Sequence, residues 1–539
     1  MKRFIALILV AVILLSCCSC TVKGSGKSIA YPISASPSTL DPQFAKDIEA
    51  QMIINNIFEG LVRLDSEGDV ISGIAEDWVI SDDELTYTFH LKDNTEWCCP
   101  VSIKNEFGEE FYEHFSNITV TAHDFVFAFR RAVLPETQSA NAYKLFPIKN
   151  AVQVNSGAYG PSLLGVTATD DYTLKIELEE PTEDFLERLT ESVFMPCNQD
   201  FFEATNGRYG LSNRHILCNG PFYISSWSTD TSLTIKNNKY YSGEQDVYPA
   251  TVVFSYDPDN ASVAKKISSG TASAALLPPD VATPEKSSVV KTISNATFGF
   301  FFNCSDAVMS NTNIRLALCS SMDRSLFGAT DNAAPQSGIV PMSCTVGNFN
   351  YREAVGSQTF EFAHDNEAAK EYWQTGLAEL GRGSVSLTVL CPEWMDSAVR
   401  QQLQIWQQVL GVSIGITIET KTAQEIKSAV NSGNYQIALT DIESDYNNTA
   451  DFLSSFTSGG VFRLAPAGYV NVIDNIFSAD THEKMLEECF AAETLLLSNA
   501  VCYPLYSRSS RFVMSEDVEG IYMPGAENTV CFIGALRHD

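Results

Sequence analysis

The sequence lacks the short motifs that mark common enzymes and metal proteins. It contains no Gly-x-Ser-x-Gly nucleophile elbow and no Gly-x-x-x-x-Gly-Lys-Ser/Thr phosphate loop. The stretch HEKML at 482–486 begins like a zinc-protease helix, but Leu486 stands where the second histidine would have to be. The seven histidines include no pair four residues apart. We therefore expect neither enzymatic activity nor a metal or other cofactor.

Basic residues are scarce. The chain carries 35 lysines and arginines against 66 aspartates and glutamates, which gives a formal charge of −31. Nucleic acids and anionic membrane surfaces are bound by basic faces, so this charge argues against nucleic acid as a partner. It remains compatible with a cationic ligand.

Cysteine pairs at zinc-site spacing are missing from the body of the chain. Beyond Cys17, Cys18 and Cys20, the other eleven of the fourteen cysteines are irregularly spaced and form no Cys-x-x-Cys pair. An odd number of thiols cannot all pair, and we expect most of them to be reduced. The adjacent Cys98 and Cys99 are unusual, and the sequence leaves their disulfide state open.

The longest apolar run lies at the N-terminus. MKR precedes FIALILVAVILL, and LLSC follows at 14–17. A run of roughly a dozen apolar residues is shorter than the about 20 that a membrane-spanning helix needs, and is typical of a signal peptide. Its end resembles a bacterial lipobox, so we expect lipidation at Cys17, with Cys20 or an ordinary signal peptide as alternatives. We assign 1–17 to the signal peptide and 18–29 to a flexible tether that holds the protein on the outer face of the cell membrane.

The rest of the chain alternates strand and helix patterns. β-branched or aromatic residues recur with a period near two, which predicts strands at 85–91, 173–178, 232–238, 251–256 and 384–390. Apolar residues at helical spacing predict helices at 122–133, 366–380, 399–411 and 482–498. A chain longer than about 300 residues usually divides into domains. These patterns together predict a mixed α/β protein with more than one lobe.

Three carboxylates alternate within TDIESDYNNTADFL, residues 440–453. Asp441, Glu443 and Asp445 follow the apolar run YQIAL at every second position, so in a strand they would share one face. Like charges at this spacing raise one another's pKa unless a cation meets them, so the pattern predicts a cation-binding site. Two other interpretations stay open: a solvated loop, and a capping role for Asp445 before a helix that starts near Thr449.

Several longer stretches resemble one known family, in the family's order along nearly the whole chain. They are STLDPQFAKD, IFEGLVRLDSEGDVISGIAEDWVISDDELTYTFHLKDNTEW (57–97), TAHDFVFAFRRA, LGVTATDDYTLKIELEEP (164–181), CNGPFYISSW (218–227), NNKYYSG (237–243), FGFFFN (298–303), NIRLALCSSMDRSLF (313–327), SDYNNTADFLSSF and VCYPLYSRSSRFV (501–513). Together they resemble the extracytoplasmic solute-binding proteins of ABC importers for oligopeptides, dipeptides and nickel.

The resemblance implies a hinge-linked α/β fold of two lobes, like the periplasmic binding proteins of type II, with an extra subdomain in the first lobe. We expect lobe I at 30–60, 166–288 and 503–539, the extra subdomain at 61–165, and lobe II at 289–502. The chain would cross between the lobes near 285–292 and 498–506.

The resemblance also implies a lipid-anchored monomer that captures an oligopeptide between its lobes for an ABC permease. Alternatives are a non-peptide ligand, such as a nickel chelate, an oligosaccharide or a polyamine-like cation, and a lipoprotein that presents its ligand to a sensor.

The same resemblance assigns roles to particular residues. In peptide-binding members an aspartate before a tyrosine pairs with the ligand's α-ammonium, and the matching residues are Asp445 and Tyr446. A buried ammonium needs such a carboxylate because an unpaired buried charge is costly. Main-chain groups matching Ile48, Asp441 and Glu443 would continue a ladder to an extended peptide. The side chains of Asp441 and Glu443 would then face water or basic groups of the ligand.

Other positions depart from the family pattern or are assigned by position alone. Leu439 and Val430 stand near where some relatives have arginines for the far end of the ligand, and Ile442 replaces a tryptophan. Candidate pocket walls are Phe298, Phe300 and Tyr143. An insertion at 98–118, rich in carboxylates and aromatic residues, is expected to form a surface loop.

Overall fold

The computed structural model describes residues 27–538 except 46, 140, 183, 280, 329–332, 348, 359, 445–447, 458–465, 480 and 525–528. Its strands are β1 (Ser28–Ile33), β2 (Val62–Leu64), β3 (Val70–Ser72), β4 (Ala75–Ile80), β5 (Thr86–Leu91), β6 (Val166–Asp170), β7 (Thr173–Glu177), β8 (Phe222–Trp227), β9 (Ser232–Asn237), β10 (Thr251–Tyr256), β11 (Ala274–Leu277), β12 (Ser287–Phe302), β13 (Ala333–Pro335), β14 (Thr345–Val346), β15 (Phe349–Asn350), β16 (Val385–Pro392), β17 (Ile414–Lys421), β18 (Ile437–Glu443), β19 (Cys502–Ser515), β20 (Val518–Glu519) and β21 (Leu536–Arg537).

The helices alternate with these strands throughout the chain, as the sequence predicts. They are α1 (Ile48–Ile57), α2 (Val101–Phe107), α3 (Glu109–Phe115), α4 (Ala122–Val133), α5 (Ala151–Asn155), α6 (Phe185–Arg188), α7 (Gln199–Ala204), α8 (Asn260–Ser268), α9 (Thr312–Ser320), α10 (Tyr351–Val355), α11 (Asn366–Glu379), α12 (Asp396–Leu410), α13 (Ala423–Ser432), α14 (Thr449–Ser454), α15 (Tyr469–Phe477) and α16 (His482–Ser498).

The predicted elements that matter for packing are confirmed, and their ends follow from their caps. Helix α4 starts with a capping box in which the Thr121 and Asp124 side chains and main-chain N–H groups satisfy each other. Asp365 caps α11 by accepting two main-chain hydrogen bonds. Helix α12 begins at Asp396, three residues before the predicted start at Val399, and stops at Gly411 as expected.

Two four-stranded sheets lie in the first half of the chain. One has the order β1-β10-β9-β8 and the other the order β4-β5-β7-β6. Strands β6 and β7 complete the second sheet, which continues to Glu177, beyond residue 165 where we expect the extra subdomain to end.

A larger sheet joins the later part of the chain. Its order is β11-β19-β12-β18-β16-β17, with β13 added beside β19. Strand β16 runs parallel to β17 and to β18, whereas β12 is antiparallel to both β18 and β19. Strands β12 and β19 are long, with 16 and 14 residues.

The buried apolar residues separate into distinct cores, which define two lobes. The first core is formed almost entirely by residues from 29–274 and 512–535. A second and a third core are built from residues 298–506. We call the part around the first core the first lobe and the part around the other two the second lobe.

Strands β12 and β19 connect the two lobes. Ile293 of β12 and Phe512 of β19 pack in the first lobe's core, while Phe298 and Tyr506 of the same strands pack in the second lobe's. The β12–β19 pairing is irregular between Ile293 and Ala296 and again at Phe298–Gly299. The expected crossings near 285–292 and 498–506 fall in or beside these strands, and the proposed lobe limits stay a prediction.

The insertion at 98–118 is not the surface loop that the sequence led us to expect. It forms helices α2 and α3, whose rings of Phe107 and Phe111 stack with centroids 4.5 Å apart. Phe115 meets Phe201 edge to face at 5.4 Å. Aromatic residues at helical spacing therefore fasten the insertion to the first lobe's core, and its carboxylates remain outside.

Two properties of the described residues bear on the chain's chemistry. The eleven cysteines from Cys98 to Cys531 are all unbonded in this structure, and most of them are buried. Within residues 27–538, apart from the gaps given above, no helix combines the length and apolar character needed to cross a bilayer.

Candidate ligand-binding site

The candidate site lies where two parallel strands of the large sheet end together. Strand β16 ends at Pro392 and β18 at Glu443, and parallel strands place their carboxyl ends at the same edge of a sheet. Ligands of open α/β sheets bind at this edge. The segment 440–453 that the sequence singles out begins here, and a short turn with Trp394 follows β16.

The main chain of β18 presents alternate residues to an edge that β16 does not cover. The hydrogen bonds Asn303 N–H to Gln436 C=O and Ser444 N–H to Asn295 C=O show that even-numbered residues bond to β12. In an antiparallel pair the intervening residues point their N–H and C=O groups the other way. Those groups of Leu439 and Glu443, and of Asp441 between them, therefore point away from β12.

Strand β16 covers only the beginning of that outer edge. It pairs with Ile437 and Ala438 and then diverges. Among the residues that the structure describes, no further strand pairs with this side of 439–443. The edge has the geometry that an additional extended strand requires.

The two described carboxylates of β18 are met by basic side chains of the protein itself. Arg508 Nη1 donates to Asp441 Oδ2 at 2.7 Å, and the two side chains are only 7% and 18% exposed. Glu443 lies 3.7 Å from Lys427, and both side chains are more exposed. We expected these side chains to face water or basic groups of the ligand. This is wrong for Asp441, because its carboxylate pairs with Arg508 of the protein itself.

Aromatic rings surround this arginine. The Arg508 guanidinium lies 5.5 Å from the ring centroids of both Phe298 and Trp394. Phe298 stacks on Trp394 at 5.3 Å and on Tyr506 at 5.0 Å. Burial raises the pKa of the Tyr506 hydroxyl. The charge of Arg508 partly offsets this rise, and the charge of Asp441 adds to it. Phe298, a predicted pocket wall, thus lies in a row of three rings directly opposite Asp441 on β12.

Other predicted positions are parts of the cores. Phe300 is fully buried and meets Phe327 and Trp406 edge to face. Leu439 is fully buried in the second core, and Ile442 packs in the third, on the opposite face of β18. Val430 is buried in a small separate core. None of these side chains has appreciable exposed surface to offer a ligand in this conformation.

Two predicted residues lie in the first lobe. Ile48 is the first residue of α1, after the Asp47 cap, so it can offer a helix N-terminal N–H but no strand edge. The Tyr143 hydroxyl hydrogen-bonds to Asp451 Oδ1, and its ring lies 5.0 Å from that of Phe477. Tyr143 therefore joins the first lobe to helices α14 and α15 of the second.

A nearly buried contact between a histidine and an aspartate also joins the lobes. His482 Nε2, at the start of α16, lies 3.7 Å from Asp184 Oδ1, and both side chains are nearly buried. Arg188 also donates to Asp184 Oδ1 at 2.9 Å. Burial alone would raise the pKa of Asp184, but the hydrogen bond with His482 and the charge of Arg188 hold it well below its usual range.

The two residues that the resemblance makes central, Asp445 and Tyr446, lie outside the described residues, and so does Cys17. Among the described residues that follow, helix α14 begins at Thr449, and its cap is Asn448, whose side chain accepts from the Asp451 N–H at 3.0 Å.

The described residues do not suggest a metal centre. In the ranges given above, no group of three or more histidine, cysteine, aspartate or glutamate side chains is placed to hold an ion. The two alternating carboxylates that the structure describes, those of Asp441 and Glu443, do not share a site, because each lies beside a different basic residue.

Sequence reasoning missed Arg508 and Trp394. Arg508 lies in YPLYSRSSRFV, where a charged residue in a buried strand signals that a partner must exist, but not which one. Trp394 has no periodic signal, because it lies in a turn. Contacts across the lobes, such as Asp184 with His482, join residues almost 300 positions apart and leave no local pattern.

The fold and this site define a two-lobed solute-binding protein. Residues 69–462 match the family model of bacterial extracellular solute-binding proteins, family 5, middle region. The chain belongs to that family.

Individual relatives match over almost the full length. The oligopeptide-binding protein OppA of Bacillus subtilis is 25% identical over 512 residues, which is 92% of this chain and 90% of the relative. A dipeptide-binding protein of Lactococcus lactis is 27% identical over 542 residues, 95% and 94% of the two chains. The structure of Listeria monocytogenes OppA bound to peptide superposes with a TM-score of 0.74 at 22% identity, covering 95% of this chain and 99% of that one.

Proposed function

We propose that this protein is a non-enzymatic receptor that captures peptides between its lobes and delivers them to an ABC permease. The observation that carries the proposal is the edge of β18 at 439–443, which points main-chain donors and acceptors away from β12 beyond the end of the β16 pairing. An extended peptide can add to such an edge through its own main chain, so that many different side chains are accepted. The relatives named for oligopeptide and dipeptide binding support the same ligand class.

Capture would couple to closure of the lobes about β12 and β19. These two strands pass between the cores, and their pairing is irregular where they do so. The contacts of Tyr143 with Asp451 and of Asp184 with His482 would exist only when the lobes are together. A ligand that touches both lobes would shift the equilibrium toward this arrangement.

We further propose that Asp445 holds the ligand's amino terminus and that the protein is a monomer tethered to the membrane by a lipid on Cys17. A peptide's α-ammonium needs a carboxylate when it is buried, and Arg508 already occupies Asp441. The resemblance to peptide-binding members of the family assigns this role to Asp445, which precedes Tyr446 in the sequence.

Native mass spectrometry of the purified protein, before and after mild unfolding, tests the ligand class. Released masses that resolve into short peptides are expected. A single non-peptide mass or a metal-containing one would overturn the proposal while leaving the fold untouched.

Asp445→Ala tests the anchor. It should weaken the binding of a neutral peptide by about tenfold, because a charge-assisted hydrogen bond is lost. Glu443→Ala is the matched control, since its side chain lies near Lys427 at the rim, and it should change the affinity less than twofold. Equal effects of the two substitutions would contradict the assignment.

A further inference from the structure

We propose that Trp394, backed by Phe298 and Arg508, forms a subsite that selects an aromatic side chain of the bound ligand. The inference rests on the proposed function, since it assigns a side-chain preference to a peptide held at the edge of β18.

The exposure of Trp394 sets it apart. It is 45% exposed, whereas Trp97, Trp373 and Trp406 are each at most 2% exposed. Its ring packs against Phe298, with the centroids 5.3 Å apart and 30° between the two planes, and lies 5.5 Å from the guanidinium of Arg508. A large ring that is fixed by its neighbours and still offers surface is a ready stacking partner.

The position of this ring relative to β18 connects it to the ligand. Phe298 is the direct cross-strand partner of Asp441, and Arg508 bridges from Asp441 to both rings. Trp394 therefore stands on the face of the sheet that carries the Asp441 side chain. A strand added at the outer edge places every second side chain on that same face, and one of them would approach Trp394.

The charges beside the ring favour an uncharged, flat group. A carboxylate on the ligand would have to compete with Asp441 for Arg508, which already makes a 2.7 Å hydrogen bond. An ammonium would meet the positive charge of Arg508 itself. An aromatic side chain gains stacking and buried area without disturbing the ion pair.

The test is a position scan with alanine peptides of three to six residues in which one alanine at a time is replaced by phenylalanine, glutamate or lysine. Binding is measured by calorimetry. For the unaltered protein we expect one position at which phenylalanine tightens binding by about tenfold over alanine. In Trp394→Ala this gain should fall below about twofold, while the all-alanine peptide keeps its affinity.

Two variants serve as controls. Tyr372→Ala removes a 36% exposed ring from α11, which makes no described contact with the site, and should leave the phenylalanine gain intact. Trp394→Phe keeps an aromatic ring and should retain part of the gain in affinity from phenylalanine. This variant keeps the test decisive even if Trp394→Ala does not fold. Binding of the phenylalanine peptide should also shift the tryptophan fluorescence, and the shift should be absent in Trp394→Phe.

Three results would overturn this inference while leaving the proposed function standing. They are a phenylalanine gain in affinity that is unchanged in Trp394→Ala, no peptide position at which phenylalanine binds more tightly than alanine, and a position near Trp394 at which glutamate binds more tightly than phenylalanine. The last result would make Arg508 the selecting group. If the unaltered protein binds none of these peptides, the proposed function fails and the inference fails with it. This outcome is distinguishable from the other three, because each of them requires that the protein binds peptides.

Discussion

The ion pair between Arg508 and Asp441 should be one of the most strongly coupled charge pairs in the second lobe. Its donor–acceptor distance is 2.7 Å, the two side chains are 7% and 18% exposed, and two rings cover the guanidinium. Removing one partner of a buried pair costs about 3–5 kcal/mol, because the remaining charge is left without compensation. The partial exposure of Asp441 lowers the expected cost of Arg508→Met to about 2–3 kcal/mol.

A double-mutant cycle isolates the interaction. Arg508→Met, Asp441→Asn and their combination are compared by urea unfolding, and the combined loss should be smaller than the sum of the single losses by about 2 kcal/mol. Glu443 of the same strand and Lys427 of α13 provide a control, since these side chains are 3.7 Å apart and are more exposed than Arg508 and Asp441. Their coupling should stay below about 1 kcal/mol. Additive losses for Arg508 and Asp441, within about 0.5 kcal/mol, would refute the reasoning.

Three further predictions concern the lobes and their connection. Glu493 is 1% exposed, accepts hydrogen bonds from the main-chain N–H groups of 339–340 and pairs with Arg352. Glu493→Gln should therefore lower the free energy of unfolding by about 3 kcal/mol. A loss as small as that of the exposed Glu487→Gln would contradict this role. Gly299→Ala should lower the free energy of unfolding in urea by about 1–3 kcal/mol, because the added Cβ would lie 2.4 Å from a carbonyl oxygen of β19. Unchanged stability would mean that β12 and β19 pack less closely at this position than the structure shows. Contacts with His482 and Arg188 lower the pKa of Asp184, so its stabilising contribution is complete above its unfolded pKa of about 3.9 and is lost as the pH falls through its folded pKa. Asp184→Asn should therefore flatten the loss of stability below about pH 4, and an unaltered pH profile would count against the contacts of Asp184 with His482 and Arg188.

How far the sequence predicts the structure depends on the range of the interaction. Strands such as 251–256 and helices such as 122–133 are confirmed within a residue, because periodicity and capping residues act locally. The insertion at 98–118 carries many carboxylates, which favour an exposed loop, and here that prediction is wrong. Its aromatic residues at helical spacing, Phe107, Phe111 and Phe115, are the better signal, because they pack against one another in the two helices.

The candidate site was predictable only in part. The alternation of Asp441 and Glu443 indicates a strand, and the strand exists, but no local pattern states which basic residue meets each carboxylate. Arg508 arrives from a strand 67 positions away. Whether a phenylalanine lines a pocket or a core is likewise a tertiary property, as the contrast between Phe298 beside Trp394 and the fully buried Phe300 shows.

The central claim is that a peptide binds by adding to the outer edge of β18, and residue-resolved hydrogen exchange tests it most directly. Amides of Leu439 and Glu443 point to that edge, while those of Thr440 and Ile442 already bond to β12 and serve as internal controls. Peptide binding should slow exchange at Leu439 and Glu443 by about tenfold or more and leave the other two nearly unchanged. Tight peptide binding with no change at Leu439 and Glu443, or with equal slowing at all four amides, would contradict the account.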